Sequence, residues 1–98
     1  MHLKNFYSDL TEKEIYKKIK EEGFTPIKIS DSPGYVYNEH SHPETKLLAI
    51  LEGEMKVIVE NEKTTLKKGD KLIIPGNTKH SAVIGKDGCI FFWSEKLI

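Results

Sequence analysis

Met55-Lys56-Val57-Ile58-Val59-Glu60-Asn61-Glu62-Lys63-Thr64-Thr65-Leu66-Lys67-Lys68-Gly69-Asp70 reads as strand, turn, strand, turn. Met55, Val57 and Val59 alternate with Lys56, Ile58 and Glu60, which gives one buried face and one mostly wet one. Asn61-Glu62 reverses the chain, and Lys67-Lys68-Gly69-Asp70 reverses it again. Outward from this stretch the same pattern continues. Upstream, Lys46 to Leu51 is separated from Met55 by Glu52-Gly53-Glu54, which reads as a tight hairpin. Further upstream come Tyr35 to His40, a turn at Asp31-Ser32-Pro33-Gly34 and the short extended run Pro26-Ile27-Lys28-Ile29. Downstream come Lys71 to Ile74, Lys79 to Ile84 and Cys89 to Ser94, with Gly85-Lys86-Asp87-Gly88 between the last two. Short strands at this density predict an antiparallel sandwich or barrel.

The first third of the chain differs in kind. Thr11-Glu12-Lys13-Glu14 is a capping box, and Leu10 is placed to staple onto Ile15. Gly23 supplies a left-handed stop, with Phe24 and Pro26 after it. These signals predict one helix over 12–22, with Ile15, Tyr16 and Ile19 as its apolar stripe packing on the sheet.

A chain of 98 residues makes a single domain. Residues 1–30 supply the helix and an edge strand, and 31–98 the barrel. Its 15 basic residues, all lysine, are balanced by 15 acidic ones, so no basic excess points to nucleic acid. No apolar run reaches membrane-spanning length, and Met1-His2-Leu3-Lys4-Asn5 leads into polar sequence rather than a signal peptide. Cys89 is the one cysteine, which excludes an internal disulfide and marks a small core hydrophobe; a cytoplasmic protein is expected. Lysine and glutamate enrichment with no glutamine fits either a thermophile-like bias or genome base composition.

His40-Ser41-His42 carries the chemistry. Two histidines one residue apart on an extended segment face the same way. His80, within Pro75-Gly76-Asn77-Thr78-Lys79-His80, can bring a third imidazole from a distant strand. Neutral imidazoles bind divalent transition metals, and Fe, Mn, Ni, Zn and Cu all suit such a set. Three protein ligands leave positions open for water or substrate, as in a catalytic metal site. His2 lies outside any motif and is expected on the N-terminal surface. Ala82 shares the face of His80 and leaves space beside it. Phe91, Phe92 and Trp93 cannot all point inward, so one face closes the barrel and the other meets the helix or a second subunit.

These residues resemble the cupin family, whose members are jelly-roll barrels (double-stranded β-helices). The first family motif appears as Gly34, five residues, His40-Ser41-His42, Pro43-Glu44-Thr45, Lys46, six residues and Gly53. The second appears as Gly69, five residues, Pro75, Asn77 in place of glycine, His80, and Ile84 in place of asparagine. Asn77 tolerates the left-handed backbone that a glycine would supply. Lys46 stands where the family has a carboxylate ligand, and a protonated ammonium has no lone pair for a metal. The resemblance thus implies an all-β cupin barrel with one N-terminal α-helix, and a metal held by His40, His42 and His80. Lys46 would anchor an anionic small molecule, Glu44 could swing in as a carboxylate ligand to the metal or border the substrate, and Tyr37 would line the barrel mouth or fill core space.

By the same resemblance, an enzyme would resemble the dioxygenases or isomerases of the family and act on a small organic acid. The other readings are a non-catalytic sensor or small-molecule binder, and a metal-free barrel with Lys46 in the ion's place. A homodimer is the expected assembly, because a small barrel with open edges gains stability by pairing.

Overall fold

A computed structural model describes residues 1–96. In chain order its elements are β1 (His2–Leu3), α1 (Glu12–Glu21), β2 (Thr25–Asp31), β3 (Val36–His40), β4 (Thr45–Val59), β5 (Glu62–Lys67), β6 (Lys71–Ile74) and β7 (His80–Lys96). All strand pairings are antiparallel. The principal path runs β1-β6-β4-β7-β2, with β3 added to β7 and β5 to β4.

The hairpin expected at Glu52-Gly53-Glu54 is not there. Lys46 to Leu51 and Met55 to Val59 belong to the single strand β4, and Lys79 to Ile84 and Cys89 to Ser94 merge in the same way into β7. These two strands run along each other from Thr45↔Lys96 to Val59↔His80, interrupted by register shifts between Ile50 and Glu52 and between Gly53 and Met55. A bulge leaves pairing on both sides but flips which residues face inward. The inward residues are Leu48 and Ile50 before the crease in β4, then Met55 and Val57 after it; in β7 they are Ile84, then Cys89 and Phe91. Each long strand therefore serves two half-sheets. One half carries β6 and β2 on its flanks, and the other carries β5 and β3.

Between the halves lies one apolar cluster, built from Leu48, Ile50, Met55, Val57, Leu66, Leu72, Ile74, Ile84, Cys89 and Phe91. A second cluster covers the back of the first half-sheet, where Leu47, Ala49, Leu51 and Phe92 meet Tyr7, Ile15, Ile19 and Phe24. Phe91 and Phe92 thus divide between barrel and helix, as alternation requires.

The helix ends where its signals place it. Glu14 N–H donates to Thr11 Oγ1 at 3.1 Å and Thr11 N–H donates to Glu14 Oε1 at 2.8 Å, closing the capping box. At the other end Gly23 takes φ +91°, with Gly23 N–H bonded to Lys20 O and Phe24 N–H to Ile19 O. That is the paired hydrogen bonding of a Schellman motif. Burial of Ile15 and Ile19 contributes about 1.5–3 kcal/mol each to docking the helix. Tyr16, assigned to the same stripe, is half exposed and touches Phe92 edge-on.

His2 is not a free surface residue. β1 pairs with β6, and His2 Nε2 lies 3.1 Å from the buried carboxylate of Asp70. Asp70 also accepts N–H bonds from Asn5 and Lys67. Burial alone would raise its pKa, but these donors and His2 outweigh burial and hold the carboxyl below its ordinary range.

Candidate metal centre

The crease closes one end of the two half-sheets, and their free ends meet at the other. His80 opens β7 and pairs with both Val59, the end of β4, and His40, the end of β3. Lys46 and Glu95, near the opposite termini of β4 and β7, form a register pair on the other half-sheet. His42 and Glu44 lie in the connection between β3 and β4. Three histidines, a lysine and two carboxylates are thereby brought to one mouth by three stretches of chain, residues 40–46 and the two ends of β7.

The three imidazoles converge. Ring centroids are 4.5 Å apart for His40–His42 and His40–His80, and 5.1 Å for His42–His80. One ligand nitrogen from each lies within 4.8 Å of the others, a group that could hold a metal ion. His42 sits past the end of β3, so strict strand alternation does not fix it. The turn of the second motif helps position it: Asn77, at φ +61°, donates its N–H to the carbonyl of His42. Gly76 packs so closely there that a Cβ would stand 2.3 Å from Pro43 O.

The hydrogen bonds settle which nitrogens are free. His80 Nδ1 meets Thr78 O at 2.9 Å, and His40 Nδ1 meets Asn38 O. A carbonyl only accepts, so in each case Nδ1 carries the proton and Nε2 keeps its lone pair. Nε2 of His80 and of His42 are both buried with no hydrogen-bond partner. Burial, with smaller contributions from Lys46 and neighbouring imidazoles, pushes His42 below the ordinary histidine pKa. Burial does the same to His80, against the hydrogen bond to Thr78. Both are therefore neutral at neutral pH, the state in which imidazole binds a metal.

Lys46 faces the interior, on the side of Leu48 and Ile50, and only 4% of its surface is exposed. Its Nζ does not take the place of an ion among the histidines. It bonds Glu95 Oε2 at 2.8 Å, lies 3.8 Å from Glu44 Oε1 and sits 5.1 Å from the centre of the Trp93 ring. Sequence reasoning did not single out Glu95. Its signal is the pairing of Lys46 with the last strand, which a strand diagram without register does not reveal.

Glu44 is outside the three-nitrogen cluster and turned toward Lys46. The Tyr37 ring packs on the barrel core, and its hydroxyl donates to Asp31. Burial and that carboxylate hold the phenol well above its ordinary pKa. The cavity bounded by Tyr37, His40, His80, Ala82 and Trp93 has a volume of about 20 Å³, room for a single water. Ala82 leaves less space than its size suggests, because Leu48, Met55 and Phe91 fill the barrel beneath. A ligand larger than water meets the histidines from the mouth.

A fold of two half-sheets closed at a crease, with histidines at the open end, defines a small β-barrel of the kind the motifs implied. A cupin-domain family model matches residues 29–94, and the chain belongs to the cupin family. The fold is similar to an RmlC-like cupin from Shewanella frigidimarina NCIMB 400, at 25% identity over 76% of this chain and 67% of that one, with TM-score 0.69. It is also similar to KdgF from Halomonas sp., at 24% identity over 74% and 67%, with TM-score 0.65. A conserved protein of unknown function from Streptococcus pyogenes matches at 18% identity over 74% and 62%, with TM-score 0.66. The chain thus spans 62–67% of the length of these structures. No curated protein matches its sequence. Among the described residues no helix is long and apolar enough to cross a membrane.

Proposed function

We propose that this chain is a metal-binding cupin in which His40, His42 and His80 hold a divalent transition metal through three nitrogens at the barrel mouth. The observation that carries the reading is the pair of buried Nε2 atoms, on His42 and His80, left without partners. A buried polar nitrogen with no hydrogen bond costs about 1–3 kcal/mol. A metal ion would satisfy both at once, and the carbonyls of Asn38 and Thr78 already hold two of the rings in the required tautomer. Fe, Mn, Ni, Zn and Cu are all compatible with an all-nitrogen donor set. Such an ion would supply Lewis acidity to a ligand oxygen in its open positions.

The ligand we propose is a small organic acid, bound at the mouth with Lys46 taking its carboxylate and Glu44 and Tyr37 bordering it. The reading extends to a metal-dependent reaction of dioxygenase or isomerase type; a binding module with no turnover is the competing one. Protein purified without a histidine tag, stripped and reloaded with each metal, is expected to retain one of them stoichiometrically by elemental analysis. His42→Ala with His80→Ala should lose it while keeping the far-UV circular dichroism of the fold. Failure of the wild-type protein to take up any of the metals overturns the proposal. Oxygen uptake and product analysis with small acids then separate enzyme from binder.

A further inference from the structure

At the mouth one cation is fixed and its partners are loose. The Lys46 side chain is 5% exposed, whereas Glu95 and Glu44 are 49% and 30% exposed. The ammonium is held from below by the Trp93 ring, 5.1 Å from its centre, and that ring faces His42 at 6.2 Å. Glu95 reaches Lys46 from the neighbouring strand, on the solvent side.

We propose that Glu95 is a specificity-determining residue: its carboxylate stands in for the acid group of the ligand and must be displaced from Lys46 for that ligand to bind. Leaving a buried ammonium unpaired is costly, so an empty mouth needs an internal anion. Exchange of one carboxylate for another keeps the ammonium paired throughout and releases the half-exposed Glu95 into water. A neutral ligand can offer Lys46 a hydrogen-bond acceptor but no compensating charge, and so cannot drive the exchange. Glu95 thereby sets a threshold that only an acid crosses, and it lowers the affinity for every acid by the strength of its own bond. The inference rests on the three-histidine reading only in placing the ligand at this mouth.

Trp93 is the one tryptophan of the chain and lies under the exchanging pair, so its emission reports the event. Zinc-loaded wild type, Glu95→Gln and Lys46→Met are titrated with glycolate and with its neutral amide, glycolamide. Glu95→Gln keeps the shape of the side chain and removes the competing charge. It is expected to tighten glycolate by about five- to tenfold, the scale of a partly exposed ion pair, and to leave glycolamide unchanged. Lys46→Met should erase the preference for the acid. Equal glycolate affinity in wild type and Glu95→Gln overturns the proposal, as does a gain shared by glycolamide or a preference that survives in Lys46→Met. Zinc stoichiometry is measured on the same samples. If zinc is not taken up, whichever ion the reloading experiment retains replaces it. Uptake of none rejects the metal reading, and the comparison of acid and amide on metal-free protein still decides the role of Glu95.

Discussion

At the scale of single residues, the buried polar groups separate by how completely they are satisfied. Asp70 is 3% exposed, and its two oxygens accept from Asn5 N–H at 2.9 Å, Lys67 N–H at 3.0 Å and the ring of His2. It ties the first residues of the chain to the β5–β6 turn. Asp70→Asn turns one acceptor oxygen into a donor facing an N–H group. It should cost about 1–3 kcal/mol by urea unfolding, with no change in metal uptake. His42 and His80 are the opposite case, since each has a buried Nε2 with no partner, and in His80 only Nδ1 is satisfied, by Thr78 O. Lys46 stands between these extremes, since its partners are present but exchangeable. The type and spacing of all these residues were legible in the sequence. Glu95 was not, because its place opposite Lys46 depends on register between strands 49 positions apart.

The elements show why glycine was legible as punctuation and its meaning was not. Gly53 lies at the crease of β4 with φ +79°, and a Cβ there would stand 2.1 Å from the carbonyl oxygen of Gly88. Two backbones cross with no space for a side chain. Gly53→Ala is therefore expected to destabilise by at least about 2–4 kcal/mol in chemical unfolding, from left-handed strain together with the clash. A substitution that costs less than 1 kcal/mol would mean that the strands are not held together at this point. Glu52-Gly53-Glu54 and Gly85-Lys86-Asp87-Gly88 both carry the composition of a hairpin turn. A turn and a bulge use the same residues for the same local reason, a backbone that must leave ordinary strand geometry. What separates them is whether the flanking runs pair with each other or with a third strand. Here the two halves of β4 both pair with β7.

For the whole molecule, the proposed metal would couple stability to occupancy of the mouth. A ligand that binds only the folded chain adds about 2.7 kcal/mol when its free concentration is 100 times Kd, so the accepted metal should raise the melting temperature and the double histidine variant should not respond. In the metal-free protein the pKa values of His42 and His80 are depressed below 6.5 by burial. The unfolded chain then binds protons that the folded chain refuses. Stability is full above about pH 6.5 and is lost as pH falls from there through the folded-state values. The urea midpoint should drop between pH 7 and pH 5, and less steeply once both histidines are alanine; a pH-independent difference between the two proteins would contradict the burial of these rings. A homodimer is also expected. The outer face of β3, β7 and β4 exposes Val36, Val83 and Ile58, which would pack against a second copy. Sedimentation showing only monomer at micromolar concentration would reject that assembly.

The sequence by itself determined the local vocabulary of this protein: the capped helix, the alternating strands, the left-handed positions at Gly23 and Asn77, and the three histidines at metal-ligand spacing. Each of these depends on interactions within a few residues, or on a motif whose spacing already encodes the fold. Only the tertiary structure decided that the hairpin signals are creases, that His2 is secured to Asp70, and that Lys46 is held by Glu95. Those outcomes depend on which distant strands lie side by side. Strand register is a long-range property, fixed when two apolar faces close over one core and not by any short stretch of chain.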